Sequence, residues 1–217
     1  MKITGIDARI LKPLDYTFRW KEEWPARTLE HVLLRIATDE GHEGLCITWL
    51  MSAGEITSAL PGLRALLVGQ DPHNVEAISY KLTDKLNTPN AVSSTVDICL
   101  WDLLGKHHGE PVYRLLGGPT REAIPAYASC LGMSLEPEAM VQRAQALKAE
   151  GFTAQKWFFR YGPADGRIGM ARNIEMVRLL REAVGDEVDL MFDAWLGWDI
   201  PYAVEMGQRM APYNPRW

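Results

Sequence analysis

The chain has 217 residues, 47% of them hydrophobic and 24% charged, with a formal net charge of −5. These proportions suit a globular protein and exclude a disordered or collagen-like one, while an acidic chain without a Lys/Arg run lacks the basic face that nucleic acid requires. Met1-Lys2-Ile3 leads into mixed charge and no stretch reaches the length of an apolar membrane span, so a cytoplasmic protein that binds neither nucleic acid nor membrane is expected. Taken in chain order, Ile3–Leu11, Leu29–Ala37 and Leu45–Trp49 carry β-branched and leucine-rich runs, the last two joined by Asp39-Glu40-Gly41, which predicts an antiparallel meander. The connection from Tyr16 to Pro25 is dense in aromatic and charged side chains, unusual for a passive loop.

From Ala53 the period becomes helical: Ile56, Leu60, Leu63, Leu66 and Leu67 form one stripe around Pro61, and Val75, Ile78, Leu82 and Leu86 a second. A third helix is predicted over Ala91–Gly105, with Gly105 as its C-cap. His107-His108 beyond it reads as solvent-facing rather than metal-binding, and Asp97 and Asp102 as structural, satisfying backbone groups between two domains. Strands followed by helices make an α+β unit. After Gly117-Gly118-Pro119 strands and helices alternate: Ile124–Ser129, Pro137–Glu150, Thr153–Phe158, Ile168–Val184, Val188–Phe192 and Ile200–Met210. This βαβαβα order implies parallel pairing, in a doubly wound sheet or a (β/α) barrel. Ser129-Cys130-Leu131-Gly132-Met133 is no phosphate-binding glycine turn, which argues against the dinucleotide-binding form. Cys46, Cys99 and Cys130, odd in number and set among apolar neighbours, read as buried reduced thiols.

Parallel α/β architectures gather reactive groups at the C-terminal ends of their strands. Lys156, in Ala154-Gln155-Lys156-Trp157-Phe158, and Asp193, ending Leu190-Met191-Phe192-Asp193, interrupt apolar runs at those ends. A charge there is costly unless it is paired, metal-bound or open to a cleft. Adjacent strands lie about 4.8 Å apart, so the two residues either reach one small ligand or form a simple ion pair.

The segment from Ala91 through Asp97, Trp101 and Lys106 to Gly117-Gly118 closely resembles the signature helix and linker of the mandelate racemase and muconate lactonizing group of the enolase superfamily. The Asp39-Glu40-Gly41 turn, Gly69-Gln70-Asp71-Pro72, Gly151-Phe152 to Lys156, and Asp193 also fall where that group has them, so the resemblance spans the chain. It implies an α+β capping domain (1–118) followed by the first part of an α/β (β/α)7β TIM-like barrel (119–217), cut off after about three βα units. It also implies Mg2+ and a carboxylate substrate whose α proton is removed; separately, the exposed strand edge and apolar helix faces of an incomplete barrel favour association, so a homo-oligomer is expected. A metal on the carboxylate oxygens stabilises the charge that develops as the proton leaves. By this resemblance Asp193 matches the first acidic metal ligand, and Lys156 the first lysine of a Lys-x-Lys pattern that neutralises the substrate carboxylate.

The second lysine of that pattern is replaced by Phe158, which accepts no proton, so a two-base racemase or epimerase is disfavoured. One-base dehydration of an acid sugar is the expectation, with a racemase or epimerase, a cycloisomerase, or a noncatalytic oligomerising fragment as alternatives. Arg19, Trp20 and Trp49 fall in the family's two capping loops and Trp195 follows the strand of Asp193, aromatic and basic groups suited to a sugar acid. The 99 residues from 119 to 217 fall short of the roughly 250 in a complete barrel. The remaining metal carboxylates and a His-Asp base are therefore expected beyond this chain, which is expected to be inactive alone.

Overall fold

The computed structural model describes residues 1–12, 30–48, 53–84 and 89–217. Arg19, Trp20, Trp49 and Leu86 lie outside these residues. The described chain falls into two units, the first extending to Glu122 and the second running from Ala123 to Trp217.

The first unit opens with β1 (Ile3–Leu11), β2 (His31–Thr38) and β3 (Glu43–Thr48), paired antiparallel in that order. Alternation sets the faces: Val32, Leu34, Ile36 and Thr38 of β2 point to the core, as do Gly44, Cys46 and Thr48 of β3. The predicted turn closes this hairpin, Gly41 at φ 81° taking the left-handed backbone and the Thr38 backbone N–H donating to the His42 carbonyl at 3.1 Å. Helices α1 (Ala53–Leu67), α2 (Val75–Asp84), α3 (Asn90–His108) and the short α4 (Val112–Leu115) follow. Ile56, Leu63 and Leu67 of α1, Ile78 and Leu82 of α2, and Val92, Val96, Leu100 and Leu103 of α3 share one core with the sheet.

Helix α3 is longer than its apolar stripe predicts. Gly105 is not the cap; the helix continues to His108 and ends at Gly109, whose left-handed backbone (φ 66°) lets its N–H reach the carbonyls of Gly105 and Lys106. Gly105 serves packing instead, since a Cβ there would lie 3.0 Å from the Glu110 carbonyl oxygen. The Asp102 carboxylate accepts the Leu45 backbone N–H of edge strand β3 at 2.8 Å and Lys106 Nζ at 2.6 Å, so its backbone partner lies in its own unit. Asp97, half-buried on the same helix, is held above the ordinary carboxylate range by burial and by Glu76.

The second unit contains β4 (Ala128–Ser129), α5 (Pro137–Ala149), β5 (Ala154–Phe158), α6 (Gly166–Val184), β6 (Asp189–Asp193) and α7 (Ile200–Met210), with the strands parallel in the order β4-β5-β6. Strand β4 is much shorter than the predicted 124–129 run, because Pro125 has no N–H for a ladder and Ile124 is 82% exposed. One face of the sheet packs on the helices: Trp157, Leu190 and Phe192 share a core with Ala144, Leu147, Val177, Leu180 and Met206. Gln155 belongs to this face and is fully buried; its amide donates to the Ala144 carbonyl at 2.8 Å and accepts from Trp157 Nε1 at 3.1 Å. Gln155→Leu strands both partners, and a urea melt is expected to show a loss of about 2–4 kcal/mol. The backbone of Arg216 donates to Leu190 and that of Phe192 to Trp217, so the last residues run along the edge of β6.

The three cysteines are buried and unpaired, as their apolar settings predict. Burial pushes the Cys130 thiol up to about 12 and the Cys99 thiol well above its ordinary value. Among the described residues, no helix is long and apolar enough to cross a membrane.

Candidate active site

Because Gln155 and Trp157 face the helices, the pleat turns Lys156 and Phe158 to the opposite face of the sheet. The same parity on β6 places Met191 and Asp193 there, and the register sets Phe158 opposite Asp193 and Lys156 opposite Met191. Lys156 and Asp193 thus meet at the C-terminal ends of neighbouring parallel strands, with Nζ 3.6 Å from Oδ2. Their side chains are 16% and 28% exposed, so both charges are withdrawn from bulk water yet remain accessible. Both residues stand at strand ends, and the contact observed between them is the ion pair that the sequence left as one of two alternatives.

Two aromatic rings complete the surroundings of the ammonium. Lys156 Nζ lies 4.9 Å from the ring centre of Phe158 and 5.4 Å from that of Tyr127. Ring faces carry negative charge density and favour a cation without binding it as tightly as a second carboxylate would. Phe158, at the position where the resemblance would put a lysine, thus presents a ring to the ammonium instead of a second cation. Sequence reasoning passed over Tyr127; its only signal was its parity with Ser129 on the first barrel strand, and that strand is too short for alternation to register.

Asp193 also shapes the turn after β6. Its Oδ1 accepts the Trp195 backbone N–H at 2.8 Å, while its backbone carbonyl accepts from Phe159 at 3.0 Å. Trp195 and Leu196 both take the left-handed backbone, φ 48° and 59°, which non-glycine residues adopt at a cost of about 1–3 kcal/mol each. The Asp193 side chain and a Gly197-to-Ala194 backbone bond of 2.8 Å hold this turn. It leaves Trp195 58% exposed beside the carboxylate, where it can form a wall. Arg19, Trp20 and Trp49, the other expected substrate contacts, are outside the described residues.

Mg2+ prefers hard oxygen ligands and is commonly held by one or two carboxylates, with water or substrate oxygens supplying the rest. Asp193 fits as one such ligand: Oδ1 is committed to the turn, and Oδ2 faces Lys156 rather than a backbone donor. Among the described residues it has no cluster of further carboxylates or histidines around it, so those residues offer one candidate Mg2+ ligand there and not a whole site.

The mandelate racemase / muconate lactonizing enzyme N-terminal domain family matches residues 23–117, and the enolase C-terminal domain-like family matches residues 139–217. An L-rhamnonate dehydratase from Saccharopolyspora erythraea is 41% identical over 59% of this chain and 30% of its own length. A D-gluconate dehydratase from Thermoproteus tenax is 30% identical over 94% of this chain and 44% of its own length. The chain thus spans less than half the length of these curated relatives. The crystal structure of D-glucarate dehydratase from Agrobacterium tumefaciens complexed with magnesium superposes on all of this chain and 60% of that one, with a TM-score of 0.79 and 26% identity. Family matches at both ends of the chain, a meander-and-helix unit followed by parallel βα units, and an acidic and a basic residue on adjacent strand ends agree: the chain belongs to the enolase superfamily, in its mandelate racemase and muconate lactonizing enzyme group.

Proposed function

We propose that this chain is the capping domain and the first three βα units of a barrel that dehydrates an acid sugar. The observation that carries the reading is the Lys156–Asp193 pair at the ends of adjacent strands on the face turned away from the helices. The dehydratase names of its relatives support the substrate class.

In this reading a sugar carboxylate displaces the Asp193 contact of Lys156, and the ammonium neutralises it. Its carbon skeleton lies against Phe158 and Tyr127, and Trp195 lines one wall. Removing the α proton sends the electron pair into the carboxylate as an enediolate; as it collapses, the β-hydroxyl takes a proton from an acid on a further barrel strand and leaves as water, and the resulting enol becomes a 2-keto-3-deoxy acid. A Mg2+ held in part by Asp193 would supply the positive charge that makes this enediolate accessible. Phe158 leaves one face of the substrate without a base, which favours loss of water over inversion. The base and the remaining metal ligands are proposed to come from further barrel strands, and a homo-oligomer is part of the same proposal.

A panel of aldonates and aldarates, incubated with Mg2+ and assayed for 2-keto-3-deoxy product, tests this. A polypeptide carrying the complete barrel is expected to turn over at least one member, and the 217-residue chain alone none. Product from the 217-residue chain alone, or inversion at the α carbon without loss of water, contradicts the proposal.

A further inference from the structure

All five histidines lie in the first unit, and four of them, from separate stretches of the sequence, cluster there. His107, in the last turn of α3, has its ring centre 5.1 Å from that of His42, 5.4 Å from His73 and 4.9 Å from His108, and His73 lies 5.6 Å from His108. The expectation that His107-His108 is a plain solvent-facing pair does not hold: His107 is only 28% exposed. Its Nδ1 is buried without a hydrogen-bond partner among the described residues, and the nearest carboxylate oxygen, Glu40 Oε2, is 3.8 Å away. A buried ring nitrogen with no partner is costly and calls for an explanation.

His73 supplies a second, independent sign. Asp71 Oδ1 lies 2.8 Å from His73 Nδ1 and also accepts the His73 backbone N–H at 3.0 Å. A carboxylate only accepts, so Nδ1 carries the hydrogen and Nε2 of the neutral ring keeps its lone pair. That carboxylate-behind-histidine arrangement is the one that orients imidazoles toward metal ions. His73, His107 and His108 each offer a ligand atom, and these atoms lie within 4.8 Å of one another. Tetrahedral Zn–N bonds of about 2.0–2.1 Å need nitrogens roughly 3.4 Å apart, a closure of little more than 1 Å at two exposed side chains, His73 and His108.

We propose that His73, His107 and His108 form a binding site for a borderline divalent transition metal ion of the Zn2+ class, with Asp71 orienting His73. Imidazole suits Zn2+, Ni2+ and Cu2+ and not Mg2+, so the site is chemically separate from the oxygen ligand Asp193. Glu40 and His42, which also approach His107, stand at the edge of the site. A bound ion would tie the loop ahead of α2 to the end of α3.

The test is Zn2+ titration of the untagged, chelator-treated 217-residue chain in excess Mg2+, followed by calorimetry and metal analysis, with Co2+ absorption reporting nitrogen ligation. One bound equivalent and a raised Tm are expected. Asp71→Asn should weaken binding about 10–100-fold, and His73→Ala, His108→Ala or His107→Gln should weaken it further. His31→Ala and Asp193→Asn should leave it unchanged. Metal-free melting curves of each variant separate lost ligation from lost fold. No Zn2+ above the Mg2+ background overturns the proposal, as does binding that survives the His73→Ala/His108→Ala double change. Loss with His42→Ala but not His73→Ala also overturns it.

Discussion

Asp193→Asn, introduced into a polypeptide carrying the complete barrel, is expected to lower kcat for acid-sugar dehydration by about 10²–10³-fold while leaving the melting temperature nearly unchanged. Asparagine keeps an oxygen that accepts the Trp195 N–H, so the left-handed turn at Trp195 and Leu196 survives. What disappears is the negative charge facing Lys156 at 3.6 Å and the hard anionic oxygen suited to Mg2+. If Asp193 were only the partner in a structural ion pair, the variant would lose stability and retain turnover. Comparing melting curves with steady-state rates distinguishes the two.

Gly44→Ala is expected to be the most damaging single-methyl change in the first unit. Strand β3 and helix α3 meet at Gly44, where an added Cβ would fall 2.0 Å from the Cys99 carbonyl oxygen and 2.8 Å from Leu103 Cβ. The first obstacle is helix backbone, which no rotamer change can move. Relief requires α3 to lift from the sheet, disturbing the Asp102 bond to Leu45 at 2.8 Å and the Lys106 bond to the Glu43 carbonyl at 3.0 Å. Overpacking of this kind costs about 3 kcal/mol, and thermal denaturation should show Tm falling by roughly 10 °C. A change of only a degree or two would mean that α3 does not sit this close to β3.

The parts of the fold legible in the sequence were those encoded by local period. Strand β1 and helix α7 have their predicted bounds, and β5 and β6 lie within a residue of theirs, because a charge or a proline lies within two residues of the end of each run: Lys12, Arg160, Asp193 and Pro212. Lys156 and Asp193 could be found because a charge at the end of a buried strand stands out against its neighbours. Where two signals competed, the reading failed: Gly105 resembles a helix cap, but the cap is Gly109, and only tertiary contact with Glu110 explains a glycine at 105. Gly44, Tyr127 and the histidine cluster owe their roles to long-range proximity. His42, His73 and His107 come from a turn, a loop and a helix end, and no spacing in the sequence links them.

Turnover of an acid sugar deuterated at C2 by the complete-barrel polypeptide, compared with the protiated compound at several Mg2+ concentrations, tests most directly whether this chain helps build a site for α-proton removal. A slower rate with the deuterated substrate under kcat/KM conditions, in a reaction that ceases when Mg2+ is chelated, is the predicted result. Dehydration that proceeds without Mg2+ and without an isotope effect, at a pH where the chemical step limits the rate, would contradict it.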